Sequence, residues 1–214
     1  LFSELSKDYL NTITDLILFR NVAKGTLILS EEKKSNSIFI IQKGLVKVTK
    51  FSDKGKELIL AFLGQDEFFG EMSLFDGEGR STNIVAKSDC KVFEIRKNDF
   101  VNIVNNSTEV SMEIIKKLSS RLRKANNKIE NISNHNSEYR IGVCLLDFAE
   151  DFGEIFQGEV RIKKIPTQIE ISNMTGTSRE TVSRVLSEFQ KNGIIIKKNR
   201  ELIIPNYKKF QDIF

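Results

Sequence analysis

The sequence predicts an α+β fold: a roll of short strands, one long helix, and a small helical unit closed by a hairpin. Three observations predict it. Between residues 26 and 95, apolar residues come in short runs, often alternating, with turn residues between them. Ile115, Leu118, Leu122, Ala125, Ile129 and Ile132 then step by three and four without a break. After a polar stretch at 133–137, two capped helices flank a glycine.

Taken in order, the first twenty residues read as helix, because Leu10, Ile13, Leu16 and Ile17 share one face. Strands are expected at 26–29, 37–42, 44–51, 57–63, 82–86 and 90–95. Lys43-Gly44, Asp53-Lys54-Gly55, Gly64-Gln65-Asp66 and Ser88-Asp89 separate them. Short strands at this spacing, with no long parallel crossover, imply a β-sandwich or closed roll. Helix resumes at 98–104. A long helix follows at about 108–132, whose a/d seam predicts a left-handed coiled coil with a second copy. The break at 133–137 ends in residues able to cap the next helix. Beyond it come a helix at 139–152, a strand at 159–165, two short helices, and a hairpin of 194–196 with 202–204 around Lys198-Asn199-Arg200. The boundaries are therefore 1–106 for the roll, 107–135 for the long helix and hinge, and 136–214 for the C-terminal unit.

Composition narrows the function. The chain has 214 residues, 40% hydrophobic and 29% charged, enough to build a packed core. No apolar run approaches the roughly 18 residues of a membrane span, and the mixed polar opening predicts no signal peptide. Cys90 and Cys144 have no metal-type spacing, which excludes a disulfide scaffold or zinc ribbon and fits a reducing cytoplasm. A single histidine, His135, leaves no set for a zinc hydrolase or a His-based triad, and no acid–base–nucleophile set points to an enzyme. Net charge is only +4. Between Arg179 and Lys209, however, 8 basic side chains face 3 acidic ones.

That basic excess coincides with a motif. Thr167-Gln168-Ile169-Glu170 is a capping box, Gly176 permits a tight turn, and Thr177-Ser178-Arg179-Glu180 repeats the capping pattern. Val182, Val185, Leu186 and Phe189 form an apolar helix face. Helix, glycine turn, capped helix and hairpin together make a winged helix-turn-helix. Arg179, Glu180, Ser183, Arg184 and Ser187 project from the opposite side. Arginine matches guanine O6/N7, and glutamate accepts from cytosine N4. Ser178 and Thr181 stand at the helix N-terminus, where phosphate is favoured. The candidate contacts with double-stranded DNA are Thr167, Ser178, Arg179, Glu180, Thr181, Ser183, Arg184 and, in the wing, Lys198.

A second cluster runs from Gly64 through Gly70-Glu71-Met72-Ser73-Leu74 to Gly79-Arg80-Ser81-Thr82. Gly70 lets backbone approach a ligand, and 72–74 can form one turn of helix with free N–H groups. Arg80 can grip a phosphate bidentately. Glu71 has the wrong sign for phosphate but suits a ribose hydroxyl. Ser81 adds a hydroxyl and an N–H. The alternative is a structural Glu71–Arg80 ion pair in the roll.

The segment Thr177-Ser178-Arg179-Glu180-Thr181-Val182-Ser183-Arg184 resembles the recognition helix of the catabolite activator and fumarate-nitrate reduction regulator superfamily. The likeness extends over essentially the whole chain. It implies a jelly-roll sensor like cyclic-nucleotide-binding domains, a long dimer helix and a C-terminal DNA-binding domain. The Gly64–Thr82 cluster looks like that family's phosphate-binding cassette. Cyclic nucleotide, cAMP or cGMP, is then the implied effector. Its implied ligand set is Gly70, Glu71, Met72, Ser73, Arg80, Ser81, Thr82, Arg121 and Asn126. Where the catabolite activator uses a Thr-Ser pair against adenine, this chain has Ala125 and Asn126, which leaves the base unassigned. Arg121 matches a family arginine near ribose and phosphate. Arg179 follows the catabolite-activator pattern, so the resemblance implies a palindromic operator with TGTGA-like half-sites, a homodimer, and RNA polymerase as partner. The alternative keeps the fold and DNA role but senses haem-bound gas, a metabolite or no small ligand.

The remaining conspicuous residues read as structural. Hinge His135 is expected in solvent rather than on haem. Cys90, Cys144, Phe68, Phe69, Phe75 and Phe93 are expected in the core, and Lys33-Lys34 and Lys116-Lys117 on a solvated surface.

Overall fold

The computed structural model describes residues 13–31 and 36–214. The chain divides into two compact units, Leu1–Lys124 and Ala125–Phe214. Leu10 of the expected first helix and Lys33-Lys34 lie outside the described residues.

In the first unit, β1 (Ile17–Val22), β2 (Leu27–Leu29), β3 (Ser37–Lys43), β4 (Val46–Phe51), β5 (Glu57–Leu63), β6 (Phe68–Phe69), β7 (Asn83–Ala86) and β8 (Cys90–Arg96) make two antiparallel sheets. Their orders are β1-β8-β3-β6 and β2-β7-β4-β5, a jelly roll. β3 explains how the layers stack. Phe39 and Ile41 enter one apolar cluster with Val46, Phe69, Ile84 and Val92. Ile38 and Ile40 enter a second with Phe68, Ile95, Phe100 and Ile103. Alternation sends neighbouring side chains to opposite faces, so five consecutive buried residues in β3 require both faces to be covered. One face meets the other sheet. The second is covered by α2 (Lys97–Asn106) and the start of α3 (Thr108–Asn134), through Val110 and Ile114.

Two sequence expectations give way here. The helix expected through residue 20 is a strand from Ile17, paired with β8 in register Ile17↔Ile95 through Val22↔Cys90. A few apolar residues at helical spacing cannot outweigh six residues of ladder pairing. Phe75, expected in the core, ends the one-turn helix α1 (Met72–Phe75) and is 48% exposed. Phe68 and Phe69 are buried as expected.

The second unit contains α4 (Ser137–Phe152), β9 (Glu154–Phe156), β10 (Glu159–Ile162), α5 (Gln168–Thr175), α6 (Arg179–Lys191), β11 (Ile196–Lys198), β12 (Glu201–Ile204) and α7 (Tyr207–Ile213). Its sheet runs β11-β12-β10-β9, antiparallel throughout. Asn136 caps α4 by accepting from the Tyr139 N–H at 2.9 Å. Ile141, Leu145, Phe148, Ile171, Val182, Val185, Leu186, Phe189, Leu202 and Ile204 are buried. β10 stops at Ile162, short of the expected residue 165, and β9 and α7 had no sequence signal of their own.

The long helix α3 divides its apolar residues between two jobs. Val110 and Ile114 are buried against the roll, with Leu118 packed beside them. Ile115, Leu122, Ile129 and Ile132 are 49–65% exposed. No helix among the described residues is long and apolar enough to cross a membrane.

Candidate functional site

The cassette sits where β6 meets α1. Gly70 takes φ +87°, and a Cβ there would stand 2.7 Å from Arg80 Nη1. Glycine is thus required by conformation and by close approach. Arg80 is only 6% exposed. Its Nη1 donates to the Gly70 carbonyl, and its Nη2 donates to the Ser37 carbonyl at 2.7 Å. Its Nε has no hydrogen-bond partner among the described residues, and neither does the buried Ser73 Oγ. Burial pulls the Arg80 guanidinium below the usual arginine range, against the opposing pull of Glu71. A buried cation held by two neutral carbonyls and still carrying a free N–H suits an anionic ligand, because an unpaired buried donor costs about 1–3 kcal/mol.

Glu71 is buried, but its partner is not Arg80. Arg121 of α3 donates through Nη1 to Glu71 at 3.0 Å and through Nη2 to Glu67 at 2.8 Å. Nη2 also reaches the Phe68 carbonyl, and the guanidinium lies 4.5 Å from the Phe68 ring centre. The Glu71–Arg80 ion pair weighed from sequence is therefore replaced by a Glu71–Arg121 pair. Lys117, expected on a solvated surface, forms an ion pair with Glu67. Burial alone would raise the Glu67 carboxyl. Hydrogen bonds and charge from Lys117 and Arg121 bring it below the usual glutamate value. Met72 is exposed and accepts from the Ser81 hydroxyl at 3.5 Å, and Thr82 is half-buried beside it in sequence. Asn126 is exposed on α3. Sequence reasoning missed Glu67, Lys117 and the Ser37 carbonyl. The signal for the first two was present: Glu67 and Glu71 share a four-residue spacing with Lys117 and Arg121.

The second candidate surface is built on α5 and α6. Thr167 accepts from the Glu170 N–H at 3.3 Å while Glu170 accepts from the Thr167 N–H at 2.9 Å, completing the capping box. Gly176 takes the left-handed conformation at φ 65° and turns the chain between the helices. The cap of α6 is Ser178, one residue later than the Thr177 pattern suggested. Its Oγ accepts from the Thr181 N–H at 3.1 Å. Thr177 instead shares a hydroxyl contact with Thr175. Val182, Val185, Leu186 and Phe189 are buried, which aims the opposite face outward. Arg179, Glu180, Ser183, Arg184 and Ser187 line one concavity of about 400 Å³ together with Gln168. The Glu180 carboxyl is held below its usual range by its own backbone N–H and by the Ser178 hydroxyl, so it stays an acceptor at neutral pH. Ser178 and Thr181 hydroxyls lie 3.1 Å apart at the exposed N-terminus of α6. Lys198 is exposed at the end of β11, beside the two-residue turn of the wing.

Elsewhere, His135 is exposed and stacks on Tyr139 with ring centres 3.9 Å apart. Cys90 and Cys144 are buried and free.

A jelly roll with a buried arginine in a glycine-shaped cassette, joined in one chain to a winged helix-turn-helix, defines a sensor protein that binds DNA. Residues 19–107 match the cyclic nucleotide-binding domain, and residues 139–213 match the Crp-like helix-turn-helix domain. The cAMP-activated global transcriptional regulator CRP of Haemophilus influenzae is 31% identical over 193 residues, 90% of this chain and 85% of that protein. The cAMP-activated global transcriptional regulator Vfr of Pseudomonas aeruginosa is 31% identical over 189 residues, 86% of this chain and 87% of that one. A CooA variant from Carboxydothermus hydrogenoformans has the same fold, with TM-score 0.81 over 99% of this chain and 96% of that one, at 22% identity. The chain belongs to the catabolite activator and fumarate-nitrate reduction regulator superfamily, and it is a DNA-binding transcription regulator.

Proposed function

We propose that the protein is a homodimeric regulator in the cytoplasm whose roll binds a cyclic nucleotide, cAMP foremost, and thereby controls binding to a palindromic TGTGA-like operator. The observation that carries the effector reading is Arg80, buried with a free Nε behind Gly70. On this reading Arg80 binds the phosphate and Glu71 the ribose hydroxyl. Gly70, Met72, Ser73, Ser81 and Thr82 supply backbone and hydroxyl contacts. Arg121 and Asn126 complete the set from α3. The domain boundaries at 106 and 135 belong to the same reading, as does RNA polymerase as the partner at the promoter. The exposed apolar residues Ile115, Leu122, Ile129 and Ile132 support the dimer, because a coiled-coil seam covers such a stripe.

Thr167, Ser178, Thr181 and Lys198 take phosphates, while Arg179, Glu180, Ser183 and Arg184 face base edges. Calorimetric titration with cAMP and cGMP tests the effector. Arg80→Ala is expected to weaken binding by about 1.5–3 kcal/mol through loss of the charged donor. A wild-type protein that takes up neither nucleotide at millimolar concentration refutes the reading. One observation favours a different effector: Ala125 offers no hydroxyl where the resemblance places an adenine contact. A haem absorbance spectrum and a metabolite screen examine that second reading.

A further inference from the structure

Four charged side chains join the cassette to the long helix. Glu67 and Glu71 bracket β6, and Lys117 and Arg121 are one turn apart on α3. Arg121 touches both carboxylates and the Phe68 carbonyl, and Lys117 holds the other oxygen of Glu67. Phe68 lies beneath the guanidinium and is fully buried in the roll. Glu67 and Arg121 side chains are 24% and 28% exposed. Pairs this reachable by water add little to stability. Their geometry has a sharper consequence. With one Nη on Glu71 and the other on Glu67, the two carboxylates act together with the Phe68 carbonyl to set the orientation of the Arg121 fork. A displacement of the Gly70–Glu71 turn therefore pulls on α3 at Arg121, one residue from the exposed seam position Leu122.

We infer that Glu67 is a positioning residue, which with Lys117 orients Arg121 beside Glu71 and so carries effector occupancy from the cassette to the long helix. The inference rests on the cyclic-nucleotide reading above. Its physical requirement is that effector binds one arrangement of this link better than another, since only differential affinity shifts an equilibrium. Against the raising effect of burial, the hydrogen bonds and charges of Lys117 and Arg121 hold the Glu67 carboxyl below its usual range.

The test uses the full chain and cAMP. The measured quantity is the ratio of operator affinity without and with saturating cAMP, with cAMP affinity measured separately by calorimetry. Glu67→Gln is expected to lower that ratio by about tenfold, within the range usual for coupled sites, while the variant still saturates with cAMP. Glu67→Asp keeps the charge and is expected to recover part of the ratio. Lys117→Gln approaches the same link from the helix and lowers the ratio less, which keeps the inference open to refutation if Glu67→Gln does not fold. Glu113→Gln removes an exposed pair with Lys116 on the same helix and leaves the ratio unchanged. An undiminished ratio in cAMP-bound Glu67→Gln or Lys117→Gln overturns the inference alone. Absence of cAMP binding by the wild-type protein overturns the effector reading and this inference with it.

Discussion

At the residue scale, the two units handle arginine in opposite ways. Arg80 is withdrawn from water and held by two carbonyls, an environment that on the proposed reading leaves its charge for an anion in the cassette. Arg179 and Arg184 stand exposed, free to desolvate against base edges. Arg184→Ala is expected to cost about 1–3 kcal/mol at the preferred operator and to relax preference at one base pair. Lys198→Ala should weaken every duplex alike and flatten the salt dependence, which titrations at several salt concentrations distinguish. Cys144 shows burial acting on a neutral group. Desolvation, with Asp147 nearby, pushes its thiol from 9.0 up to about 12. A pKa raised on folding contributes stability that is present below 9 and is lost as pH rises from 9 towards 12. Cys144→Ala should remove that part of the alkaline decline. In the native protein at pH 8, alkylation of Cys144 should proceed only through unfolding, as mass spectrometry of alkylated native and denatured samples would reveal.

At the scale of elements, α3 carries the clearest sequence pattern and a division of labour that the pattern alone does not express. Residues 110, 114 and 118 follow a four-residue step and pack on the roll, while 115, 122, 129 and 132 remain exposed. Introducing charge at the second set should disturb association without disturbing the roll. Leu122→Glu is expected to yield a monomer by placing like charges across the seam. Sedimentation of wild-type protein as a monomer at micromolar concentration would contradict that assignment. α5 and α6 were legible almost to the residue, because a capping box, an αL glycine and an i, i+3, i+4, i+7 face all agree locally. β1 was not, because its pairing partner β8 lies some seventy residues away in sequence and no local signal represents it.

At the scale of the whole molecule, a dimer joined along one seam presents two recognition helices related by a two-fold axis, so its operator must have inverted symmetry. Half-sites should lie about one helical turn apart. Selection from random duplexes by cAMP-saturated protein is expected to enrich a palindrome with guanine in each half-site, TGTGA-like because Arg179 is present. An enriched site without inverted symmetry would contradict both the dimer geometry and the roles given to Arg179, Glu180 and Arg184.

The sequence by itself determined the order of roll, long helix and winged helix-turn-helix, and the two motifs that mark the DNA surface and the cassette. These are encoded in contiguous residues, where periodicity, caps and glycines act over a turn or two of chain. Only the tertiary structure decided the partners. Arg80 turns to the carbonyls of Gly70 and Ser37, and Glu71 is claimed by Arg121, fifty residues on. Glu67 and Lys117 join them, although the sequence reading gave Glu67 no role and left Lys117 on a solvated surface. Side-chain pairing across such separations depends on which surfaces the packed sheets and α3 bring together, and on which charges burial forces to find a counterpart.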